Sequence, residues 1–158
     1  LGVAPIEKLP IMAKVIADRG DEGFAFRGDD GIDELTLATT STIIQINNGQ
    51  LHTTTFDPQE IGIERAPLSE LVGGVPEVNA AIIRDVFGGK SGAVREAILL
   101  NAAIAIAAFK GDFDLGITQQ IANGYVLAKQ AIDSGKALGL LNTWGALTQE
   151  LSPANQLK

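Results

Sequence analysis

Carboxylates and hydroxyls crowd together between residues 28 and 42 of this chain. Four acids fall within six positions, and five hydroxyl side chains follow them. The acids are Asp29, Asp30, Asp33 and Glu34, and the hydroxyls are those of Thr36, Thr39, Thr40, Ser41 and Thr42. Magnesium in proteins takes oxygen ligands, usually one or two carboxylates together with substrate phosphates and water. The stretch is therefore either an acidic surface turn or a site for a divalent cation and a phosphate, and its spacing alone favours the turn.

Asp33 and Glu34 are the candidate metal ligands because of the elements that flank them. Residues 23–27 predict a short strand that ends at Gly28, and the Asp-Asp-Gly sequence that follows favours a turn. Adjacent residues of a regular strand point to opposite faces, whereas in a loop both side chains can face one cleft. Ligands of α/β sheets bind at the carboxyl ends of the strands. We therefore expect Asp33 and Glu34 to lie at the rim of a cleft.

A helix and a hairpin are predicted on either side of this strand and loop. The helix runs from Pro10, which suits the first helical position, to Arg19. Two β-rich runs, 42–47 and 50–56, flank the dipeptide Asn48-Gly49. That dipeptide accepts positive φ at both central positions of a type I′ turn, so it predicts an antiparallel hairpin.

From Leu68 onward the pattern is helical. Helices are predicted over 76–87, 97–109 and 117–133, and a last one begins near residue 134. Residues 97–109 contain one polar side chain, Asn101, and are too few to span a bilayer, which indicates a helix buried on most sides. A buried amide needs hydrogen-bond partners, so we expect Asn101 to pin a neighbouring loop. The predicted fold class is α/β, a mixed sheet with an antiparallel hairpin, packed by helices.

The composition is that of one soluble globular domain. The chain has 158 residues, of which 46% are hydrophobic and 20% are charged. A formal net charge of −7 disfavours nucleic acid as a partner, and no signal peptide or membrane span is predicted. The absence of cysteine fits a reducing compartment. The opening Leu1-Gly2-Val3 suggests a processed chain or a piece of something longer.

Three further features are interpreted as structural. Residues 88–91 and 134–137 resemble the end of a phosphate-binding loop, but Arg84 and Gln130 stand where that motif needs its first glycine. Both stretches are interpreted as helix ends capped by glycine. His52, the only histidine, has no evident triad partners and is interpreted as a structural or surface residue.

The order of several short motifs resembles one known family. Gly-Asp-Asp-Gly-Ile-Asp-Glu-Leu-Thr, residues 28–36, resembles the G-x-D-G-x-D-E-x-[ST] loop of anthranilate phosphoribosyltransferases. Further similarity follows in order along nearly the whole chain: Phe56-Asp57-Pro58, Ile61-Gly62-Ile63, Arg65-Ala66, Gly73-Gly74, Asn79-Ala80, Arg84, Gly92, Arg95, residues 97–103 and residues 131–137. Each motif is weak alone, whereas their ordered combination is specific.

The resemblance implies an activity and a metal. Enzymes of that family transfer a phosphoribosyl group from phosphoribosyl pyrophosphate to the amine of anthranilate in tryptophan biosynthesis. They have a small helical domain and a large α/β domain of the nucleoside phosphorylase-like type, with active sites between them. The resemblance assigns Mg²⁺ binding to Asp33 and Glu34, and Glu34 would help to hold both metal ions. It also implies a cytoplasmic protein that is a homodimer at full length.

The resemblance covers only part of such an enzyme. The helical domain, the Gly-rich phosphoribosyl pyrophosphate loop and the main anthranilate contacts of the family lie upstream of the matching region. This chain would therefore be the C-terminal portion of the large domain, and we expect it to be inactive alone. Two positions depart from the family pattern: Arg27 replaces a frequent histidine, and Val75 replaces a frequent aspartate.

Three alternatives remain open at this stage. The first is a non-catalytic or differently specific relative that acts as a binding module. The second is an enzyme similar to pyrimidine nucleoside phosphorylases, although the Asp-Glu-Leu-Thr sequence of residues 33–36 points away from it. The third is a structural or assembly module, since the alanine-rich helix could pack against another chain.

Overall fold

A computed structural model describes residues 1–152, which form one three-stranded sheet and five α-helices. The strands are β1 (Gly23–Gly28), β2 (Ser41–Asn47) and β3 (Gln50–Phe56). The helices are α1 (Leu9–Asp18), α2 (Pro76–Phe87), α3 (Ala93–Lys110), α4 (Ile117–Asp133) and α5 (Lys136–Glu150), with short 3-10 helices at Ile6–Lys8, Pro58–Ile61 and Leu68–Leu71. Within residues 1–152, no helix has the length and apolar character needed to cross a membrane.

The sheet confirms the predicted hairpin. Its strands are antiparallel in the order β1-β2-β3, and Asn48 and Gly49 join β2 to β3 with φ values of 50° and 72°. Both angles are positive, as a type I′ turn requires. An isolated parallel bridge joins Gly2 to Phe26 on the outer edge of β1, whereas the three strands themselves are wholly antiparallel, so the expected mixed sheet is limited to this bridge.

The chain divides into two compact units, and the first contains the sheet. It comprises residues 1–72 and 91–128. Phe24 and Phe26 pack on one face of the sheet with residues of α3 and α4, among them Leu100, Ile104 and Ile121. Ala25, between the two phenylalanines, packs on the other face with Leu9 and Ala13 of α1. Helices therefore cover both faces of the sheet, because successive strand residues point to opposite sides.

The second unit comprises residues 73–90 and those from 129 onward. Asn79 bonds the backbone N–H and C=O of Gly74, and Arg84 of α2 donates to Asn142 of α5 at 3.0 Å. Gly88 follows the last residue of α2, and Gly135 separates α4 from α5 with a φ of 75°. Both lookalikes of a phosphate loop are thus helix ends, as predicted. The single domain that the sequence suggested stays a prediction.

The helix bounds follow the prediction closely. The 76–87 and 117–133 segments are helical over those residues, and Ile117, Ile121, Ala128 and Ile132 of α4 are all buried. Helix α3 begins four residues earlier than the apolar run suggested, at Ala93. Its first turn carries Arg95 and Glu96, which favour helices but leave no apolar signal.

Candidate metal site in the acidic loop

The acidic loop, residues 29–40, connects the end of β1 to the start of β2. Its first turn is closed by two backbone bonds, Gly31 N–H to Gly28 O at 2.9 Å and Gly28 N–H to Ile32 O at 3.0 Å. Gly31 has a φ of 104°, which only glycine adopts without strain. The Asp-Asp-Gly sequence therefore makes the turn that was predicted from it.

The first two acids of the loop are bound by threonine hydroxyls of the loop and of β2. Asp29 accepts hydrogen bonds from Thr40 at 2.5 Å and from Thr42 at 2.7 Å. Asp30 accepts one from Thr36 at 2.6 Å, and the same hydroxyl accepts from the N–H of Ala38 at 3.0 Å. These hydroxyls therefore shape the loop by binding carboxylates of the chain itself.

Three buried residues, together called the buried anchor, follow the acids. Leu35, Thr36 and Leu37 are each only 1% exposed. Asn101 of α3 holds the backbone of Leu35 from both sides, because its Oδ1 accepts from Leu35 N–H at 2.8 Å and its Nδ2 donates to Leu35 O at 3.0 Å. The same Nδ2 donates to Ala97 O at 3.1 Å. The predicted pinning role of Asn101 is thus confirmed.

Asp33 and Glu34 differ from the first two acids. Both are exposed, and within the described residues neither side chain makes a hydrogen bond or an ion pair. Partial burial, and then the adjacent charge of Asp33, raise the pKa of Glu34 above its ordinary value, against a smaller opposing effect of the N-terminal ammonium. Two neighbouring carboxylates that repel each other and lack hydrogen-bond donors can bind a divalent cation, which relieves the repulsion.

The N-terminal segment also contacts this part of the loop. A Cβ on Gly2 would lie 1.7 Å from the carbonyl oxygen of Asp33, so no larger residue fits there without moving the backbone. Nothing in the sequence marks this contact, because it depends on how the segment pairs with β1. Arg27, at a position where the resemblance expects histidine, donates from Nε to Ala4 O at 2.9 Å and so also ties this segment to β1.

The two acids alone do not form a complete metal shell. Across residues 1–152, no cluster of three or more histidine, aspartate or glutamate side chains could hold a metal ion. Two carboxylates leave most positions of an octahedral Mg²⁺ ion for phosphate oxygens and water. A site of this kind would be built together with a phosphate-bearing substrate.

The cavities of the first unit include two that lie near the sheet or beside the segment that follows it. One, of about 270 Å³, is lined mainly by apolar side chains such as Phe24, Phe26 and Ile104, and it also touches Asn101. The other, of about 510 Å³, is lined by Arg65, Glu96, Tyr125 and others. Neither Asp33 nor Glu34 lines either cavity, so their place at the rim of a cleft stays a prediction.

Two further positions that the sequence singled out are exposed. His52 is exposed on β3, as predicted for a surface residue. Val75 precedes α2 and is exposed as well.

Comparison with known proteins decides the family. A family model described as "Glycosyl transferase family, a/b domain" matches residues 1–138. The chain belongs to this glycosyl transferase family. The predicted resemblance and the predicted α/β fold are thereby confirmed.

The glycosyl transferase chain is similar to curated anthranilate phosphoribosyltransferases. It is 45% identical over 149 residues to that of Arthrobacter sp. (strain FB24) and 47% identical over 144 residues to that of Rhodococcus jostii (strain RHA1). These matches cover 94% and 91% of the chain, but 42% and 40% of the relatives. The chain therefore spans about two fifths of the length of the curated relatives it matches.

Solved structures of the same enzyme share the fold. The anthranilate phosphoribosyltransferase of Thermus thermophilus is 33% identical with a TM-score of 0.76, over 94% of this glycosyl transferase chain and 42% of that one. That of Saccharomyces cerevisiae in complex with PRPP and Mg is 29% identical with a TM-score of 0.77, over 90% of this chain and 40% of that one.

Proposed function

We propose that this chain is the C-terminal part of an enzyme that transfers a phosphoribosyl group from phosphoribosyl pyrophosphate to anthranilate and releases pyrophosphate. The chain contributes Asp33 and Glu34 as Mg²⁺ ligands. The observation that carries the proposal is this adjacent, exposed pair of carboxylates without hydrogen-bond partners among the described residues, placed directly before a buried anchor. Similarity to anthranilate phosphoribosyltransferases supports the reaction, and a relative crystallised with PRPP and Mg supports the metal.

The reaction explains why acids are useful at this place. Departure of pyrophosphate concentrates negative charge on the leaving group, and bound Mg²⁺ stabilises that charge. Carboxylates cannot bind pyrophosphate directly, because like charges repel. Asp33 and Glu34 therefore act only through the cation, by fixing where it meets the pyrophosphate.

The rest of the site lies outside this chain in our proposal. The curated relatives are more than twice as long. We propose that the loop for phosphoribosyl pyrophosphate and the main anthranilate contacts lie in the part of the enzyme that this chain does not match. We propose that the full-length enzyme is a cytoplasmic homodimer. The 158-residue chain alone is then expected to form no phosphoribosyl anthranilate, and robust product formation by the purified chain would refute this expectation.

A binding titration tests the metal role. Mn²⁺, as a stand-in for Mg²⁺, is titrated into the full-length enzyme that contains this chain, with and without pyrophosphate, and binding is followed by calorimetry. The D33N/E34Q double variant should lose the binding that depends on pyrophosphate. The matched control is D112N/D114N, which removes the same charge from two acids that are also exposed. Unchanged binding in D33N/E34Q, or an equal loss in the control, would remove the metal role.

A further inference from the structure

We propose that Asn101 is a positioning residue for the metal site, which holds the backbone so that the Glu34 carboxylate meets the cation without prior rearrangement. The inference rests on the proposed function. It goes beyond the pinning of a loop, because it assigns Asn101 a share of the metal affinity.

The two peptide planes that flank Glu34 are both held by distant parts of the chain. The N–H of Leu35 belongs to the plane that follows Glu34, and it donates to Asn101 Oδ1 at 2.8 Å. The carbonyl of Asp33 belongs to the plane that precedes Glu34, and the backbone of Gly2 packs directly on it. With both planes fixed, the remaining freedom of Glu34 lies largely in its side chain.

The amide of Asn101 can hold Leu35 in one orientation only. Its oxygen meets a donor, Leu35 N–H, and its nitrogen meets two acceptors, Leu35 O and Ala97 O. Exchanging oxygen and nitrogen would leave all three contacts without a matching donor or acceptor. The bond to Ala97, one turn earlier in α3, fixes the amide itself on the helix.

The hydrogen bonds between Asn101 and Leu35, here called the clamp, fix the position of the adjacent Glu34 because Leu35 is itself buried. Leu35 is 1% exposed, whereas the adjacent Glu34 is exposed, so the chain passes from core to surface in one step. Residues that orient metal ligands by hydrogen bonds affect metal affinity although they do not touch the ion. Without the clamp, the loop would have to be ordered when the cation binds, and that ordering would weaken binding.

The test is a double-mutant cycle on Mn²⁺ affinity in the presence of pyrophosphate. N101A should weaken binding by about tenfold, as is typical for the loss of a residue that orients a ligand. In the E34Q background, N101A should add little, because the acid that it positions is already gone. A residue with a merely structural role would lower the melting temperature without this coupling.

Q120A is the matched control. Gln120 is also a buried helical amide, 3% exposed, and it holds a loop backbone by donating to Leu115 O at 2.7 Å. The loop that Gln120 holds lies between α3 and α4 and is separate from the acidic loop. Q120A should therefore lower the melting temperature and leave Mn²⁺ affinity unchanged.

The outcomes separate the inference from the proposed function. Wild-type affinity in N101A, a full and independent loss in N101A/E34Q, or an equal loss in Q120A would overturn the role of Asn101 while the metal role of Glu34 stands. Wild-type affinity in E34Q would overturn the proposed metal role itself.

A measurement on the wild-type chain covers the case in which N101A does not fold. If the clamped loop binds the cation better, the cation must in turn stabilise the clamp. Addition of Mg²⁺ and pyrophosphate should then slow hydrogen exchange of the Leu35 amide by about fivefold or more. Unchanged exchange at Leu35, under conditions in which calorimetry shows that the cation is bound, would overturn the inference.

Discussion

The acidic loop contains two pairs of carboxylates that share a charge but not an environment. Asp29 and Asp30 accept three hydrogen bonds from threonine hydroxyls. Asp33 and Glu34, a few residues later, accept none from the described residues. The first pair therefore stabilises the loop, whereas the second pair lies exposed on its surface.

The difference shows how an acid can be assigned a role. A carboxylate that is bound by neutral donors of its own chain stabilises local structure and has fewer lone pairs left for a ligand. An adjacent pair without donors carries a cost in repulsion, which raises the pKa of Glu34 beyond the effect of burial. Such a cost is expected where a ligand relieves it.

The largest expected effect comes from removing a threonine hydroxyl that binds the first pair of acids. T36V removes the hydroxyl that donates to Asp30 and accepts from Ala38 N–H, so it should lower the free energy of unfolding by about 2 kcal/mol. T40V, which removes a more exposed hydroxyl bond to Asp29, should cost less than half as much. Urea denaturation measures both, and equal losses would contradict the role of Thr36 as the buried centre of the loop.

One substitution in each pair of acids sharpens the contrast between them. E34Q should weaken Mn²⁺ binding with pyrophosphate by about tenfold while the free energy of unfolding at pH 7 stays equal or rises slightly. D29N should do the reverse, with a stability loss of about 1 kcal/mol and little change in affinity. Parallel calorimetry and denaturation decide the point. If D29N lost more metal affinity than E34Q, the assignment of the pairs would be wrong.

The raised pKa of Glu34 gives the next effect. A carboxyl whose folded pKa is raised favours the folded state when protonated; this stability is present below the ordinary pKa of 4.5 and is lost as pH rises through the raised value. The cation binds the ionised form, so Mn²⁺ affinity should fall on acidification while the pH is still above 4.5. Titrations between pH 7 and about 5 test this, with E34Q as the control for protonation of pyrophosphate. An equal pH dependence in E34Q would exclude Glu34 as the titrating ligand.

The smallest effect is expected outside the loop. His52 is exposed on β3, and its side chain makes no hydrogen bond within residues 1–152. H52A should change neither Mn²⁺ affinity nor the free energy of unfolding by more than about 0.5 kcal/mol. A larger change in either measurement would show that this face of the sheet has a role that its exposure does not reveal.

Local signals predicted most of the fold. Asn48-Gly49 determined the hairpin because few residues other than asparagine and glycine adopt positive φ readily. Gly89 and Gly135, with φ values of 103° and 75°, follow the ends of α2 and α4 for a similar reason. The start of α3 was missed because the turn that contains Arg95 and Glu96 lacks an apolar pattern.

The site was predictable only in part. The need of Asn101 for partners followed from its apolar neighbours, but its partner is 66 residues away, so no local pattern could identify Leu35. The separation of the two acid pairs was also hidden, because it depends on which threonines reach which carboxylates. The packing of Gly2 on Asp33 depends on tertiary structure alone.

A crystal structure of the full-length enzyme that contains this chain, grown with Mn²⁺ and pyrophosphate, tests the central claim most directly. Its anomalous difference map should place Mn²⁺ about 2.1 Å from a carboxylate oxygen of Asp33 or Glu34, the distance expected for Mg²⁺, with Asp29 and Asp30 still bound to their threonines. A metal peak on Asp29 or Asp30, or ordered pyrophosphate with no peak at Asp33 and Glu34, would contradict the account.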